Sequence, residues 1–119
     1  MMLVCFSADL MFSSQVRAVA MKVGLEVKTE SDRDALLQAA AGPSPAIVCL
    51  DLDTLSVEVA DLVRELRSAV TPPKAVIAVA AHVHEGRLEA ARLAGCDETL
   101  SRGAFHRGGQ ELLERLLRE

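Results

Sequence analysis

Short strand-like runs alternate with helical apolar stripes along this chain, and the alternation occurs five times. Consecutive or alternating apolar residues over four to six positions are typical of strands, whereas apolar residues at every third or fourth position are typical of helices. The predicted strands cover residues 3–6, 25–29, 46–50, 75–80 and 98–101. The first four helices are predicted to end at Gly24, Gly42-Pro43, Pro72-Pro73 and Gly95. This alternation predicts a parallel sheet with helices on both faces.

Polar residues ahead of the stripes indicate where helices begin. Ser13 or Ser14 is the predicted N-cap of the first helix, because a serine hydroxyl accepts hydrogen bonds from free helical N–H groups. The segment 31–34 resembles a capping box ahead of the second helix, with Ser31 as its N-cap. The third helix is predicted from the stripe Val59, Leu62, Val63, Leu66 and Val70. The last is predicted from the pairs Leu112-Leu113 and Leu116-Leu117.

The polarity of the strands predicts their order. Strands that are buried on both faces are continuous apolar runs, and the first, third and fourth strands have this character. The second and fifth carry polar residues and are expected at the edges, as in the flavodoxin-like order 2-1-3-4-5. The predicted fold class is therefore α/β, a three-layer αβα sandwich with a five-stranded parallel sheet. Residues 1–119 are expected to form a single domain.

Asp51 follows the buried run 46–50 directly and is the most informative polar residue of the sequence. In the predicted order, ligands bind in a crevice between the carboxyl ends of the first and third strands. Asp51 and the loop 7–9 are expected to face each other across that crevice. A carboxylate there is a candidate active group, although phosphoryl or metal chemistry also requires further acids, a hydroxyl or a cation.

Composition narrows the classes of function. The net charge is −4 and half of the residues are apolar, which favours a soluble globule over a nucleic-acid-binding protein. The sequence has neither an apolar stretch of membrane-spanning length nor a leader-like N-terminus, so a cytoplasmic location is expected. The three cysteines do not form a disulfide framework, and Cys5 and Cys49 are expected to be buried on adjacent strands.

The whole chain resembles the response-regulator receiver domain of two-component signalling, a member of the CheY-like superfamily. The segment 46–52 is similar to the family's phospho-acceptor strand, and the segment 94–100 is similar to its approach to the fifth strand. The resemblance implies that Asp51 occupies the phospho-acceptor position. It also implies a protein partner, either a histidine kinase or a downstream signalling protein.

The other positions of the receiver site depart from the family pattern. The family uses an acidic pair that holds Mg²⁺, a Ser or Thr after the fourth strand and a Lys after the fifth. The matching positions here are Ser7 and Ala8, with Asp9 one residue later, then Ala80 and Arg102. Because phosphoryl transfer to a carboxylate brings negative charges together, a cation and fixed donors are needed. The resemblance therefore implies a degenerate pseudo-receiver, in which Mg²⁺ binding by Asp9 and Asp51 is disfavoured.

Two interpretations of Arg102 remain open at this point. Its planar, permanently charged guanidinium could hold the Asp51 carboxylate in a lasting ion pair, or it could face water and contribute little. The resemblance also implies a docking face made by the fourth helix, fifth strand and fifth helix, for a partner or a second copy in a homodimer. The residues implied for that face are Arg87, Thr99, Arg102 and Leu112.

Three functional hypotheses follow. The first is a stand-alone receiver-like domain, not an enzyme, that acts by protein–protein interaction without the usual phosphorylation. The second is a genuine phospho-accepting regulator with Asp9 as an atypical metal ligand. The third is a flavin or small-metabolite sensor, which is disfavoured because the loop after the first strand has no glycine and the chain has no Trp or Tyr and only three Phe residues. A His/carboxylate metal site is a weaker candidate, built from His82, His84, Asp9, Asp51 and Asp53.

Overall fold

The computed structural model describes residues 1–119 and contains five strands and five helices in strict alternation. The strands are β1 (Met2–Phe6), β2 (Glu26–Glu30), β3 (Ile47–Asp51), β4 (Ala75–Ala80) and β5 (Glu98–Ser101). The helices are α1 (Leu10–Lys22), α2 (Arg33–Ala40), α3 (Val59–Arg67), α4 (Glu85–Leu93) and α5 (Arg102–Arg118). All strand pairs are parallel, in the order β2-β1-β3-β4-β5. The predicted α/β class and strand order are confirmed.

Two apolar layers cover the sheet, because successive side chains of a strand point to opposite faces. Ile47 and Cys49 of β3 pack with residues of α1 and α5, whereas Val48 and Leu50 pack with residues of α2, α3 and α4. Every residue of β3 and β4 is buried, while β2 and β5 are not fully buried. This pattern accounts for the three-layer sandwich and for the edge positions of β2 and β5. No helix of this fold has the length and apolar character that crossing a membrane requires.

The first two helices begin at aspartates and not at the predicted serines. Asp9 is the N-cap of α1, where its Oδ1 accepts hydrogen bonds from the N–H groups of Met11 and Phe12. Asp32 caps α2 by accepting from the N–H of Ala35. The predictions of Ser13, Ser14 and Ser31 as N-caps are therefore wrong. A carboxylate is favoured at these positions because it also complements the partial positive charge of a helix N-terminus.

The glycine signals predict the ends of α1 and α4 correctly. The apolar stripe that predicts the third helix, however, extends beyond the end of α3. Gly24 and Gly95 follow α1 and α4 with φ of 81° and 100°, a conformation that glycine adopts without a steric penalty. In contrast, α3 ends at Arg67, so Val70 lies beyond the helix with its side chain fully exposed. The hydroxyl of Ser68 donates to the carbonyl of Arg64 and closes the last turn before the proline pair.

Two buried cysteines lie side by side in the sheet. Cys5 of β1 pairs with Cys49 of β3 in the strand register, and both are free thiols. The hydrogen bond between these thiols and their burial hold the pKa of Cys49 well above its usual value. Their expected role as buried apolar residues on adjacent strands is confirmed.

Candidate functional site

Asp51 is the last residue of β3, between β1 and β4, and its side chain is 0% exposed. The strand leaves the sheet at this point, so the carboxylate lies at the carboxyl edge, as the sequence predicts. A buried carboxylate is stable only where hydrogen bonds and opposite charge replace the water that it has lost. The surroundings of its two oxygens therefore decide what Asp51 can do.

Each carboxylate oxygen of Asp51 accepts two hydrogen bonds. Oδ2 accepts from the hydroxyl of Ser7 at 2.7 Å and from that of Thr54 at 3.2 Å. Oδ1 accepts from the guanidinium of Arg102 at 3.0 Å and from the N–H of Asp53 at 3.2 Å. A carboxylate offers about four acceptor positions, so the hydrogen-bonding capacity of Asp51 is fully used.

The two hydroxyls also connect the loops that surround the site. The Ser7 Oγ accepts from the N–H of Asp9 at 3.0 Å, and the Thr54 Oγ1 accepts from the N–H of Ala8 at 3.1 Å. The loop after β1 and the loop after β3 are therefore joined through Asp51. Ala8 contributes only its backbone N–H to this network, because its side chain has no carboxylate.

Arg102, the first residue of α5, contacts three carboxylates. Its Nη1 donates to Asp9 Oδ2 at 3.0 Å and its Nη2 donates to Asp51 Oδ1 at 3.0 Å. Its Nε lies 3.3 Å from Asp53 Oδ2, but this buried N–H is not aligned for a hydrogen bond. The guanidinium carbon lies 4.8 Å from the ring centroid of Phe12, within range of a cation–π contact. Of the two interpretations of Arg102, the structure selects the ion pair.

Asp53 extends this network to α4. Its Oδ2 accepts from the N–H of Ala81 at 2.8 Å, and its Oδ1 contacts His84 Nδ1 at 2.8 Å and accepts from Arg87 Nη1 at 3.0 Å. Burial opposes ionisation of Asp53, but the hydrogen bonds from Ala81 and His84 and the charge of Arg102 outweigh it and lower the pKa. Elements as far apart in sequence as α1 and α4 are thus linked through carboxylates.

Arg102 and two of its partners, Asp9 and Asp53, shift one another's pKa. The hydrogen bond from Arg102 and the N–H of Phe12 lower the pKa of Asp9. Burial acts to lower the pKa of Arg102, but the hydrogen bond with Asp9 and the charges of Asp51 and Asp53 raise it overall. The carboxylates of Asp9 and Asp53 and the guanidinium of Arg102 therefore favour each other's charged forms.

The sequence-predicted site residues are brought together only in part. Ser7, Asp9, Asp51 and Arg102 form one network, whereas Ala80 ends the buried strand β4 without a polar side chain. Sequence reasoning missed Thr54 and Phe12. A hydroxyl three residues after a strand-ending aspartate is the signal that could have identified Thr54.

The residues do not fit a bound Mg²⁺. Mg²⁺ needs several oxygen ligands in near-octahedral geometry, but the available carboxylates of Asp9, Asp51 and Asp53 all face the guanidinium of Arg102. The structure also contains no group of three or more His, Cys, Asp or Glu side chains arranged to hold a metal. His84 contacts Asp53, while His82 is exposed outside this network.

Two of the four residues implied for the docking face do not serve it as expected, and one of them is Arg102, which contacts three carboxylates of the site. Arg87 is exposed and Thr99 is half-buried, but the side chain of Leu112 is only 8% exposed and belongs to the core beneath α5. Leu112 faces the sheet because it continues the apolar stripe with Leu113 and Leu116. Leu93, at the end of α4, is the large apolar residue exposed here, at 72%.

No protein-family model matches this chain, and no curated protein matches it. Among solved structures, full-length FixJ from B. japonicum superposes with a TM-score of 0.81 at 16% identity, over 98% of this chain and 57% of that one. This chain therefore spans little more than half of FixJ.

Two further structures match over nearly their full length. The receiver domain of the sensor histidine kinase PA1611 from Pseudomonas aeruginosa, which holds a magnesium ion in its active-site cleft, has a TM-score of 0.81 at 17% identity, over 98% of this chain and 97% of that one. A response regulator receiver protein from Burkholderia phymatum has a TM-score of 0.69 at 25% identity, over 95% and 94%. The chain has the fold of a response-regulator receiver domain.

Proposed function

We propose that this chain is a receiver-like signalling domain that acts by binding another protein. In this proposal it catalyses no reaction of its own and does not undergo Mg²⁺-dependent phosphorylation at Asp51. The observation that carries the proposal is the state of the Asp51 carboxylate, which is 0% exposed and accepts two hydrogen bonds at each oxygen.

A phospho-acceptor carboxylate must present one oxygen to the incoming phosphorus atom at close range. Here either oxygen would first have to give up its donors, Ser7 and Thr54 on one side or Arg102 and the N–H of Asp53 on the other. Ala80 stands where the family has a hydroxyl and cannot donate to a transferred phosphoryl group. The attack is thus opposed both by the occupied acceptor and by the shortage of stabilising donors.

The alternative is a phospho-accepting regulator in which Asp9 supplies the metal carboxylate. Asp9 already uses one oxygen to cap α1 and the other to bind Arg102. Metal binding by Asp9 would therefore remove a helix cap or an ion pair. This requirement favours the proposal over the alternative.

Incubation with acetyl phosphate and Mg²⁺, followed by intact-mass spectrometry, distinguishes the two. We expect the wild-type mass to remain unchanged, as in the matched control Asp51→Asn. A phosphoryl adduct that forms on the wild type and is absent from Asp51→Asn would show that the proposal is wrong. A phosphorylatable receiver treated in parallel verifies that the reagent is active.

The proposed partner surface is the face formed by α4, β5 and the outer side of α5, and Arg87 and Leu93 are among the exposed residues of α4. The partner would be a histidine kinase, a downstream signalling protein or a second copy of the chain. Leu93→Glu should weaken binding of an isolated partner or shift a dimer to monomer in light scattering, whereas Met21→Glu on α1 should not. Equal effects of the two substitutions would argue against this face.

The three free thiols are in keeping with the proposed cytoplasmic location.

A further inference from the structure

We infer that Arg102 is the resident counter-cation of this site and takes the place that a divalent cation would need among Asp9, Asp51 and Asp53. The inference rests on the proposed function in one respect, since only a site that needs no Mg²⁺ for phosphoryl transfer can have this position among its carboxylates filled by an arginine. It identifies the residue that makes this receiver fold unsuited to magnesium.

The geometry assigns one carboxylate to each nitrogen of the guanidinium. Nη1 reaches Asp9 at 3.0 Å, Nη2 reaches Asp51 at 3.0 Å, and Nε lies 3.3 Å from Asp53. A guanidinium is planar and does not lose its proton in proteins, so its charge is present at every ordinary pH. The carboxylates are consequently arranged around a flat fork and not around a spherical ion.

The other residues of the site cannot supply a metal with ligands that would replace the carboxylates contacted by Arg102. Ser7 Oγ is neutral and already accepts from the N–H of Asp9 while it donates to Asp51, and Ala8 has no polar side-chain atom. A metal would have to remove Asp9 and Asp51 from Arg102 and then lie beside an unneutralised guanidinium. Repulsion between the two cations opposes that arrangement.

Arg102 is also fixed in position by its surroundings. The side chain of Ser101 caps α5 by accepting from the N–H of Ala104, which holds the first turn of the helix against the end of β5. The ring of Phe12 lies beneath the guanidinium at 4.8 Å. The positive charge is therefore held at the carboxylates by backbone and packing, independently of the metal concentration.

The experiment measures Mn²⁺ binding by electron paramagnetic resonance and thermal unfolding with and without Mn²⁺. The proteins are the wild type, Arg102→Gln, Arg102→Lys and the double variant Arg102→Gln/Asp51→Asn. We expect Arg102→Gln to bind Mn²⁺ at least about tenfold more tightly than the wild type, because Asp9 and Asp51 would lose the only cation that they contact. The double variant should lose most of this gain.

Arg102→Lys keeps one positive charge and guards against failure of Arg102→Gln to fold. A lysine ammonium is a point charge that cannot span three carboxylates, so Mn²⁺ should raise the unfolding temperature of Arg102→Lys but not that of the wild type. The inference is overturned if the wild type binds Mn²⁺ as tightly as the variants, or if neither variant responds. Wild-type phosphorylation by acetyl phosphate would instead overturn the proposed function, so the two failures are distinguishable.

Discussion

Arg102 donates from Nη2 to Asp51 Oδ1 across 3.0 Å and thereby joins the first residue of α5 to the last residue of β3. Asp51 is 0% exposed and Arg102 is 31% exposed, so the ion pair lies at the boundary between core and solvent. Breaking one side of such a pair leaves a buried charge without its partner, which costs more than the net gain from forming it. This relationship makes the site a structural element of the fold.

Arg102→Ala should lower the free energy of unfolding by about 2–4 kcal/mol, because Asp51 would remain buried without its counter-charge. The measurement is urea unfolding followed by circular dichroism at neutral pH. Arg107→Ala is the matched control, since Arg107 is an exposed arginine on the same helix. We expect the control to change stability by less than about 0.5 kcal/mol, and equal losses in both variants would contradict the importance of the pair.

Ser7→Ala should lower the free energy of unfolding by about 1–3 kcal/mol, because one oxygen of a buried carboxylate would lose its shortest hydrogen bond. The N–H of Asp9 would lose its acceptor as well. Ser14→Ala, at an exposed position of α1, provides the comparison in the same denaturation experiment. A neutral effect of Ser7→Ala would mean that water replaces the hydroxyl without loss.

Two adjacent glycines of α5 should respond oppositely to alanine. Gly108 has open space where a Cβ would lie, so Gly108→Ala should stabilise the helix by about 0.5–1 kcal/mol. A Cβ on Gly109 would lie 3.3 Å from atoms of Phe105 and of Val19, and Phe105 is buried and cannot easily move. We expect Gly109→Ala to lower stability by about 1 kcal/mol or more. Urea midpoints that move in the same direction for both variants would contradict this packing.

Stability should fall in acid because the folded state lowers the pKa of Asp9 and of Asp53. A lowered folded-state pKa contributes stability that is present above the unfolded pKa, about 4, and is lost as the pH falls through the folded value. Urea midpoints measured from pH 7 to pH 2 should therefore decline below about pH 4. Asp53→Asn removes one of these carboxyls and should reduce the decline. An unchanged decline in Asp53→Asn would contradict a contribution from Asp53.

The thiols should be nearly unreactive in the native protein. Cys5 and Cys49 are buried, and the pKa of Cys49 is raised well above its usual value by the hydrogen bond with Cys5 and by burial. Burial also raises the pKa of Cys96 to about 11, so this half-buried thiol should react slowly near neutral pH. Labelling with a thiol reagent, read by intact mass, should give three adducts only after unfolding. Rapid native labelling of Cys49 would contradict the buried pair.

The polarity of the strands was sufficient to predict their order, because burial on both faces requires apolar residues at every position and leaves a local signal in the sequence. Asp51 could be placed at the sheet edge for the same reason, since it directly follows such a run. The N-caps could not be predicted as well. Asp9 and Ser13 are both good capping residues, and the choice between them depends on where the chain leaves β1.

The sequence by itself thus determined the layers, the strand order and the position of Asp51, because each depends on the periodicity of neighbouring residues. Only the tertiary structure decided the state of Arg102. Its guanidinium contacts the carboxylates of Asp9, Asp51 and Asp53, which are 93, 51 and 49 positions away along the chain. Contacts between such distant segments arise from packing and leave no local pattern in the sequence. The residues next to Arg102 along the chain therefore do not indicate whether its side chain forms an ion pair or faces water.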